Sequence, residues 1–221
     1  MKKVLINGAQ GKMGAMITEL ITKNPEYGLQ VSVKREVGQS AEGDFNLVID
    51  FSQPDGALEA YQIAKDNKAA LLIGTTNLPA SFIETLKAEK NIPVFFSPNV
   101  SIGVYLFTEV LKYAQSMFKG YERRMEEIHH IHKKDAPSGT AKNLAAALDF
   151  PVEEVKSVRE GEVVGTHTFV LSSDYEEIIL SHVAKKRLLF AESAVLISSW
   201  LVNQKPGFYD MKNFVERKLI E

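Results

Sequence analysis

Four short runs in the amino-terminal part of the chain are apolar almost without interruption, and each stops abruptly at small or polar residues. Lys2 to Asn7 ends at Gly8, Asn46 to Asp50 at Phe51-Ser52, Ala69 to Ile73 at Gly74-Thr75-Thr76, and Pro93 to Phe96 at Ser97-Pro98-Asn99. A half-exposed strand alternates apolar and polar residues, whereas continuous apolar runs of this length suit parallel strands buried on both faces. Segments of helical spacing lie between them, around Gly56 to Asn67 and Ala80 to Lys90. Strand and helix in alternation predict an open parallel sheet with right-handed crossovers. All the polar tails then gather at the carboxyl edge, where such sheets bind ligands.

The first strand-to-helix turn, Gly8-Ala9-Gln10-Gly11-Lys12-Met13-Gly14, carries glycines in the spacing G-x-x-G-x-x-G, a variant of the dinucleotide fingerprint. Glycines there allow a tight turn and close approach of backbone to a pyrophosphate, and the helix that follows presents N–H groups and the positive end of its dipole. Gly8, Ala9, Gln10, Gly11, Lys12 and Met13 are the expected pyrophosphate cradle. A second strand, Leu29 to Val33, ends in Lys34-Arg35-Glu36. At that position an acidic residue suits the ribose of NAD and a basic one the 2′-phosphate of NADP. Lys34 and Arg35 therefore predict NADPH, with Glu36 leaving NADH possible through a ribose hydroxyl. Gly74, Thr75 and Thr76, with Ser97, Pro98, Asn99 and Val100, are placed on the nicotinamide side. The fold expected is an amino-terminal Rossmann-like parallel-sheet domain of the α/β class, followed by a second, α+β domain built on a mixed sheet.

Charge and composition remove several other functions. A net charge of −2 gives no general attraction to nucleic acid or to an anionic membrane. No apolar run approaches the ~20 residues that span a bilayer, and the amino terminus lacks the pattern of a signal peptide, so a cytoplasmic protein is expected. The chain has no cysteine, which excludes disulfides, thiolate zinc sites and thiol nucleophiles. Beyond the first domain, Ile102 to Met117 reads as an amphipathic helix, Glu122 to Ile131 as a strand, Val163 to Leu171 and Glu176 to His182 as strands of the second sheet, and Phe190 to Val202 as an apolar helix.

The chemistry is placed in Glu127-Ile128-His129-His130-Ile131-His132-Lys133-Lys134-Asp135-Ala136-Pro137-Ser138-Gly139-Thr140-Ala141, which gathers three of the five histidines. Its second half is built like a helix entry, with Ser138 or Thr140 as cap and free N–H groups facing an anion. Its first half offers histidine, whose ordinary pKa near 6.5 suits proton exchange at neutral pH, and a lysine as second donor. If Ile128 to His132 is extended, His129 and Ile131 share one face while His130 and His132 share the other, so the three histidines do not converge on a metal. No metal is expected. Asp135 is read as holding the turn or pairing with a lysine. The arrangement suits a small carboxylate that is held and protonated.

This stretch resembles the signature of the dihydrodipicolinate reductase family, also called 4-hydroxy-tetrahydrodipicolinate reductases. The resemblance extends through the glycine turn, Asp50-Phe51-Ser52, Gly74-Thr75-Thr76, Ser97-Pro98-Asn99, Arg159-Glu160-Gly161 with Gly165-Thr166-His167, and Phe208-Tyr209-Asp210-Met211. It implies reduction of 4-hydroxy-tetrahydrodipicolinate to tetrahydrodipicolinate by NADPH or NADH, with loss of water, in the diaminopimelate route to lysine. Residue by residue it implies that His129 donates and accepts protons, that Lys133 is a second proton donor, that His130 contacts substrate, and that Gly139 and Thr140 hold a substrate carboxylate, to which the residues themselves add the Ser138 hydroxyl. It implies a homotetramer and a domain division of 1–101 with 188–221 for the nucleotide and 102–187 for substrate and assembly. Lys34 departs from the acidic residue common in the family, which strengthens the expectation of NADPH. Lys185-Lys186-Arg187 and Glu192-Ser193 depart as well, leaving cofactor contacts near Arg187 unassigned. Two competing readings are another reductase of amino-acid-derived carboxylates and a nucleotide sensor that binds NADPH without turnover.

Overall fold

The computed structural model describes residues 1–218. In chain order the elements are β1 (Lys2–Asn7), α1 (Lys12–Lys23), β2 (Leu29–Arg35), β3 (Leu47–Asp50), α2 (Pro54–Asn67), β4 (Ala70–Ile73), α3 (Ala80–Lys87) and β5 (Pro93–Phe96). Then follow α4 (Ile102–Met117), β6 (Glu122–His129), α5 (Gly139–Ala147), β7 (Lys156–Arg159), β8 (Gly165–Ser172) and β9 (Glu177–Ala184). The chain closes with α6 (Leu188–Leu201), β10 (Gly207–Tyr209) and α7 (Met211–Lys218). It divides into two compact units, Met1–Val100 with Phe190 onward, and Ser101–Leu189.

In the first unit the strands lie in the order β10-β5-β4-β3-β1-β2, every neighbouring pair parallel. All residues of β3 and β4 are buried, the apolar ones in the core and Asp50 at the tip of β3. Leu5, Val48, Leu71 and Val94 pack there against Ala57, Ala60, Phe82 and Leu86 of α2 and α3. Each large side chain buried in this way contributes roughly 1.5–3 kcal/mol. The chain leaves β1 to one side for β2 and to the other for β3, so the strand order reverses at β1. A crevice for a ligand forms at such a reversal, and its floor is the tips of β1 and β3, where Asn7 and Asp50 are register partners. β10 was not expected: three residues, Gly207 to Tyr209, are too few to show a period, yet they pair with Pro93 to Phe95 and extend the sheet.

The second unit holds a mixed sheet in the order β7-β6-β8-β9, with β6 and β7 parallel and the other pairs antiparallel. On β8, Gly165, His167, Phe169 and Leu171 are buried and the residues between them are half-buried. Phe169, Leu171 and Met125 form the apolar part of that face, packed with Leu111 of α4, Leu144 and Ala145 of α5, and Leu148 just after it. Ser101 opens α4 as its cap, its hydroxyl accepting from the Val104 N–H at 3.2 Å. β6 stops at His129, two residues earlier than the expected Ile131, because the chain turns there and the Lys133 N–H donates to the His130 carbonyl at 3.1 Å. β7 was also unexpected; four residues with a charge at each end carry no legible alternation.

Candidate active site

At the carboxyl edge of the first sheet the glycine turn is held by backbone. The Gly8 and Ala9 N–H groups donate to the Arg35 carbonyl at 2.8 and 3.3 Å. Gly8 has φ +76°, and a Cβ there would lie 2.6 Å from the Phe51 carbonyl oxygen; a Cβ on Gly14 would lie 2.2 Å from that of Gly8. Both glycines are thus required by close backbone approach. The cap position of α1 is Gly11, which offers no side-chain oxygen, so no side chain caps the helix start at Lys12 and Met13. Gln10 donates its N–H to the Glu36 carboxylate at 2.7 Å.

Three expected cofactor residues have other duties. Arg35 is 4% exposed; its fork donates to Asn7 Oδ1 at 2.6 Å, to the Glu59 carboxylate, and from Nε to the Gln39 carbonyl at 2.7 Å. The expected pair of exposed cations is therefore a single one, Lys34, which shares with Ala9, Thr18 and Lys23 a groove of about 380 Å³. Thr75 is buried and its hydroxyl donates to Asp50 at 2.6 Å while accepting from the Ser52 N–H at 2.9 Å. Asp50 also accepts from Asn7 at 2.7 Å and from Ser52. Burial raises the Asp50 carboxyl above its ordinary range, against the hydrogen bonds of Ser52, Thr75 and Asn7, which lower it. This network ties the tips of β1, β3 and β4. Ser97 is buried and donates to the Asn99 carbonyl at 2.6 Å, and Val100 is buried, whereas Thr76 and Pro98 are exposed.

In the second unit a strand supplies the first half of the site. Glu127 and His129 stand two residues apart on β6 and so share a face, and His167 is the cross-strand partner of Glu127 on β8. All three are buried. His129 Nδ1 makes a short hydrogen bond to one Glu127 oxygen, and the other oxygen accepts from Arg159 at 2.9 Å and from the Ser138 N–H at 3.3 Å. Burial pushes the Glu127 carboxyl up, but the hydrogen bonds of Arg159 and Ser157 and the charges of His129 and Arg159 bring it below its ordinary value. His129 is lowered by burial, a shift that Glu127 opposes and that Lys133 and Arg159 reinforce. The ring of His167 lies 5.2 Å from that of His129, edge to face.

Glu127, His129 and His167 offer donor atoms within 4.8 Å of one another. The histidines that converge are thus 129 and 167, not the sequence neighbours 130 and 132. The Arg159 guanidinium on the same carboxylate opposes a second cation there.

The turn after β6 and the start of α5 supply the second half. Lys133 is partly buried and its ammonium bonds Asp135 at 2.8 Å. Burial raises the Asp135 carboxyl, but the hydrogen bond and charge of Lys133 and nearby backbone N–H groups bring it below its ordinary value. Asp135 thus sits on the ammonium that is expected to meet a substrate carboxylate. Gly139 is exposed and Thr140 half-buried in the first turn. Ser138 differs from expectation: at 1% exposure its hydroxyl caps α5, accepting from the Ala141 N–H at 3.1 Å, and lies 3.3 Å from His167 Nε2. It serves the helix and the buried histidine. His130 Nε2 accepts from Arg187 at 3.0 Å, which gives Arg187 a partner the sequence did not suggest. Glu127 and His167 stand in the motifs but carry no expected role; an acidic residue two before a histidine on a strand is the legible signal for the first.

The buried His167 makes a testable contribution to stability. Burial first, then the His129 charge, pushes its imidazole from 6.5 down to about 4. Between those values the unfolded chain binds the proton and the folded chain does not, so stability is full above about pH 6.5 and falls as the pH drops toward 4. The loss expected across that window is up to about 3 kcal/mol. Melting temperatures of the protein and of a His167→Gln variant, compared at neutral and acid pH, should converge as the pH falls; parallel curves would assign the acid sensitivity elsewhere.

The comparisons with known proteins fit this geometry. The amino-terminal family model of dihydrodipicolinate reductase matches residues 2–100 and the carboxyl-terminal one residues 103–215. A 4-hydroxy-tetrahydrodipicolinate reductase of Bdellovibrio bacteriovorus is 37% identical over 222 residues, spanning 96% of each chain. That of Methanocorpusculum labreanum is 35% identical over 246 residues, spanning 96% of this chain and 98% of its own. Among solved structures, the dipicolinate-bound dihydrodipicolinate reductase of a Paenisporosarcina species shares the fold, with a TM-score of 0.76 at 18% identity over 99% of this chain and all of its own. By its matched models and its relatives, the chain belongs to the dihydrodipicolinate reductase family.

Proposed function

We propose that the protein reduces 4-hydroxy-tetrahydrodipicolinate to tetrahydrodipicolinate with NADPH, NADH being the lesser donor, as a cytoplasmic step of the diaminopimelate route to lysine. The observation that carries this reading is the buried, carboxylate-held His129 in one unit with an ammonium, Lys133, and the start of α5 that Ser138 caps. The nicotinamide supplies a hydride when bound; the balance further requires one proton and the departure of a hydroxyl as water. His129, with Nδ1 committed to Glu127, exchanges its proton through Nε2. Lys133 is the second donor and neutralises a carboxylate, displacing Asp135 as it does so. Gly139 and Thr140 hold that carboxylate at the helix start, and His130 contacts the substrate beside Arg187. Placement, charge neutralisation and protonation are the protein's share of the catalysis.

The turn Gly8 to Met13 fits a pyrophosphate because Gly8 and Gly14 let it pack tightly against Phe51 and the start of α1, and no side chain caps that helix. Gly74 to Thr76 and Ser97 to Val100 are assigned to the nicotinamide side through exposed Thr76 and Pro98 and through backbone, since the Thr75 hydroxyl is spent on Asp50 and Ser52. Lys34 is assigned to the 2′-phosphate and Glu36 to a ribose hydroxyl. Lys34→Ala is then expected to weaken NADPH by about 1–2 kcal/mol and NADH little. Arg35→Ala should weaken both equally, through loss of the Asn7 and Glu59 ties. Fluorescence titration of each coenzyme checks this; equal loss of both in Lys34→Ala would move the phosphate elsewhere.

The outward face of β9 presents Ile179 and Val183, 62% and 56% exposed, which supports a homotetramer assembled through this sheet. Among the described residues no helix is long and apolar enough to cross a membrane. The deciding experiment is NADPH oxidation followed by absorbance, with the substrate generated in place from pyruvate and aspartate semialdehyde by a synthase. Turnover that needs every component supports the proposal. Binding of NADPH without turnover would favour a sensor.

A further inference from the structure

The sequence motifs Arg159-Glu160-Gly161 and Gly165-Thr166-His167 have no part in the reaction as described, yet both lie against its central histidine. Arg159 is the register partner of His129 across β6 and β7. Its side chain is not spent on solvent. Nε donates to the Lys133 carbonyl at 3.2 Å, one terminal nitrogen donates to the Val158 carbonyl at 2.7 Å, and the other donates both to Glu127 at 2.9 Å and to the Asp135 carbonyl. One guanidinium thus reaches the carboxylate that orients His129 and two carbonyls of the turn that carries Lys133. Backbone reinforces the same junction: the Glu160 N–H donates to the His129 carbonyl at 2.8 Å, and the His130 N–H to Val163 at 2.7 Å.

We propose that Arg159 is a positioning residue for both proton donors, fixing the His129 ring through Glu127 and the Lys133 turn through its backbone, and that Gly165 keeps open the space the second ring nitrogen faces. The part about Gly165 follows from geometry. A Cβ on that residue would lie 2.9 Å from His129 Nε2. Gly165 has no left-handed φ, so alanine meets no backbone objection. Its cost falls on the His129 ring.

The role of Glu127 is sharper than that of an anchor. Two donors, the Arg159 guanidinium and the Ser138 N–H, converge on one of its oxygens, so that position demands an acceptor. An amide substituted there must turn its oxygen to Arg159 and its NH₂ to His129 Nδ1. That nitrogen then becomes an acceptor, and the ring proton moves to Nε2. Arg159 therefore selects the tautomer at one remove, by deciding which way the group at position 127 faces.

The inference rests on the reductase reading for its kinetics but not for its structural readout. With ¹⁵N-histidine labelling, the His129 ring should carry its proton on Nδ1 in the unaltered protein and on Nε2 in Glu127→Gln. In the double variant Glu127→Gln/Arg159→Met, the amide is released and the ring returns at least in part to Nδ1–H. In NADPH oxidation, Arg159→Ala and Gly165→Ala should lower kcat by about a hundredfold or more, with KM for the dicarboxylate changed severalfold at most. Added guanidinium should restore part of the kcat of Arg159→Ala and none of that of His129→Ala. An unchanged ring tautomer in Glu127→Gln, or an Arg159→Ala enzyme within about threefold of normal turnover, overturns the proposal. If Arg159→Ala does not fold, the isosteric Glu127→Gln and the small change Gly165→Ala decide the matter alone. Absence of turnover in the unaltered protein would sink the reductase reading, while the ring spectra would still judge this one.

Discussion

Lys133→Met is expected to lower kcat by about a hundred- to ten-thousandfold, the range in which a positioned general acid contributes. Methionine keeps the length and much of the volume of the side chain, so packing changes little. What is lost is a proton donor and a positive charge in a partly buried site. That charge now rests on Asp135 at 2.8 Å, and its removal leaves the Asp135 carboxylate without its ammonium partner. Asp135 then competes poorly as a lid over the helix start, but the substrate has also lost its counter-charge, so KM should rise as kcat falls. His129→Gln should cost a similar factor in kcat with less effect on KM. The double variant should lose much less than the product of the two, since both residues serve one protonation sequence. Steady-state NADPH oxidation on the substrate generated in place measures all three. A Lys133→Met enzyme within tenfold of normal kcat would reassign the second proton.

Gly14→Ala is the substitution expected to damage the first unit most. Its Cβ would be set 2.2 Å from the Gly8 oxygen and 2.7 Å from the Ala9 Cα, both backbone atoms, which no rotamer change relieves. α1 must withdraw from the turn, or the turn must open. Overpacking of a well-packed site costs about 1–3 kcal/mol, and a backbone clash belongs at the top of that range or above it. Coenzyme binding should fall further than stability alone accounts for, because the α1 start moves away from the pyrophosphate cradle. Chemical denaturation and titration with NADPH and NADH separate the two effects. Equal loss of NADPH and NADH is expected, since the contacts at risk are common to both. A variant that binds either coenzyme normally would mean that the pyrophosphate is held elsewhere.

Much of the framework was legible in the chain because periodicity and burial are local properties. Val4 to Ile6, Leu47 to Ile49 and Leu71 to Ile73 read as strands buried on both faces, and they are fully buried. The cap at Ser138 was readable as a helix entry for the same reason: a hydroxyl before a helical run has few other uses. β7 and β10 were not legible, since four and three residues carry no period and are strands only because a neighbour offers a ladder.

Side-chain partners across the fold were the least legible. Arg35 next to Lys34 looked like half of a cationic grip. Strand alternation turns the two to opposite faces, one exposed and one buried on Asn7 and Glu59. Thr75 looked like a ligand contact, and parallel register brings it instead to Asp50, 25 residues earlier. His129 was legible as a proton-transfer group from its chemistry. That its companions are Glu127, Arg159 and His167, and not His130 and His132, follows from a strand that ends at His129 and from partners brought in by β7 and β8. Residue type and local spacing declared which groups could carry charge and protons. Which of them face one another depended on register and burial, because a hydrogen bond between distant residues has no signature in either segment until the sheet aligns them.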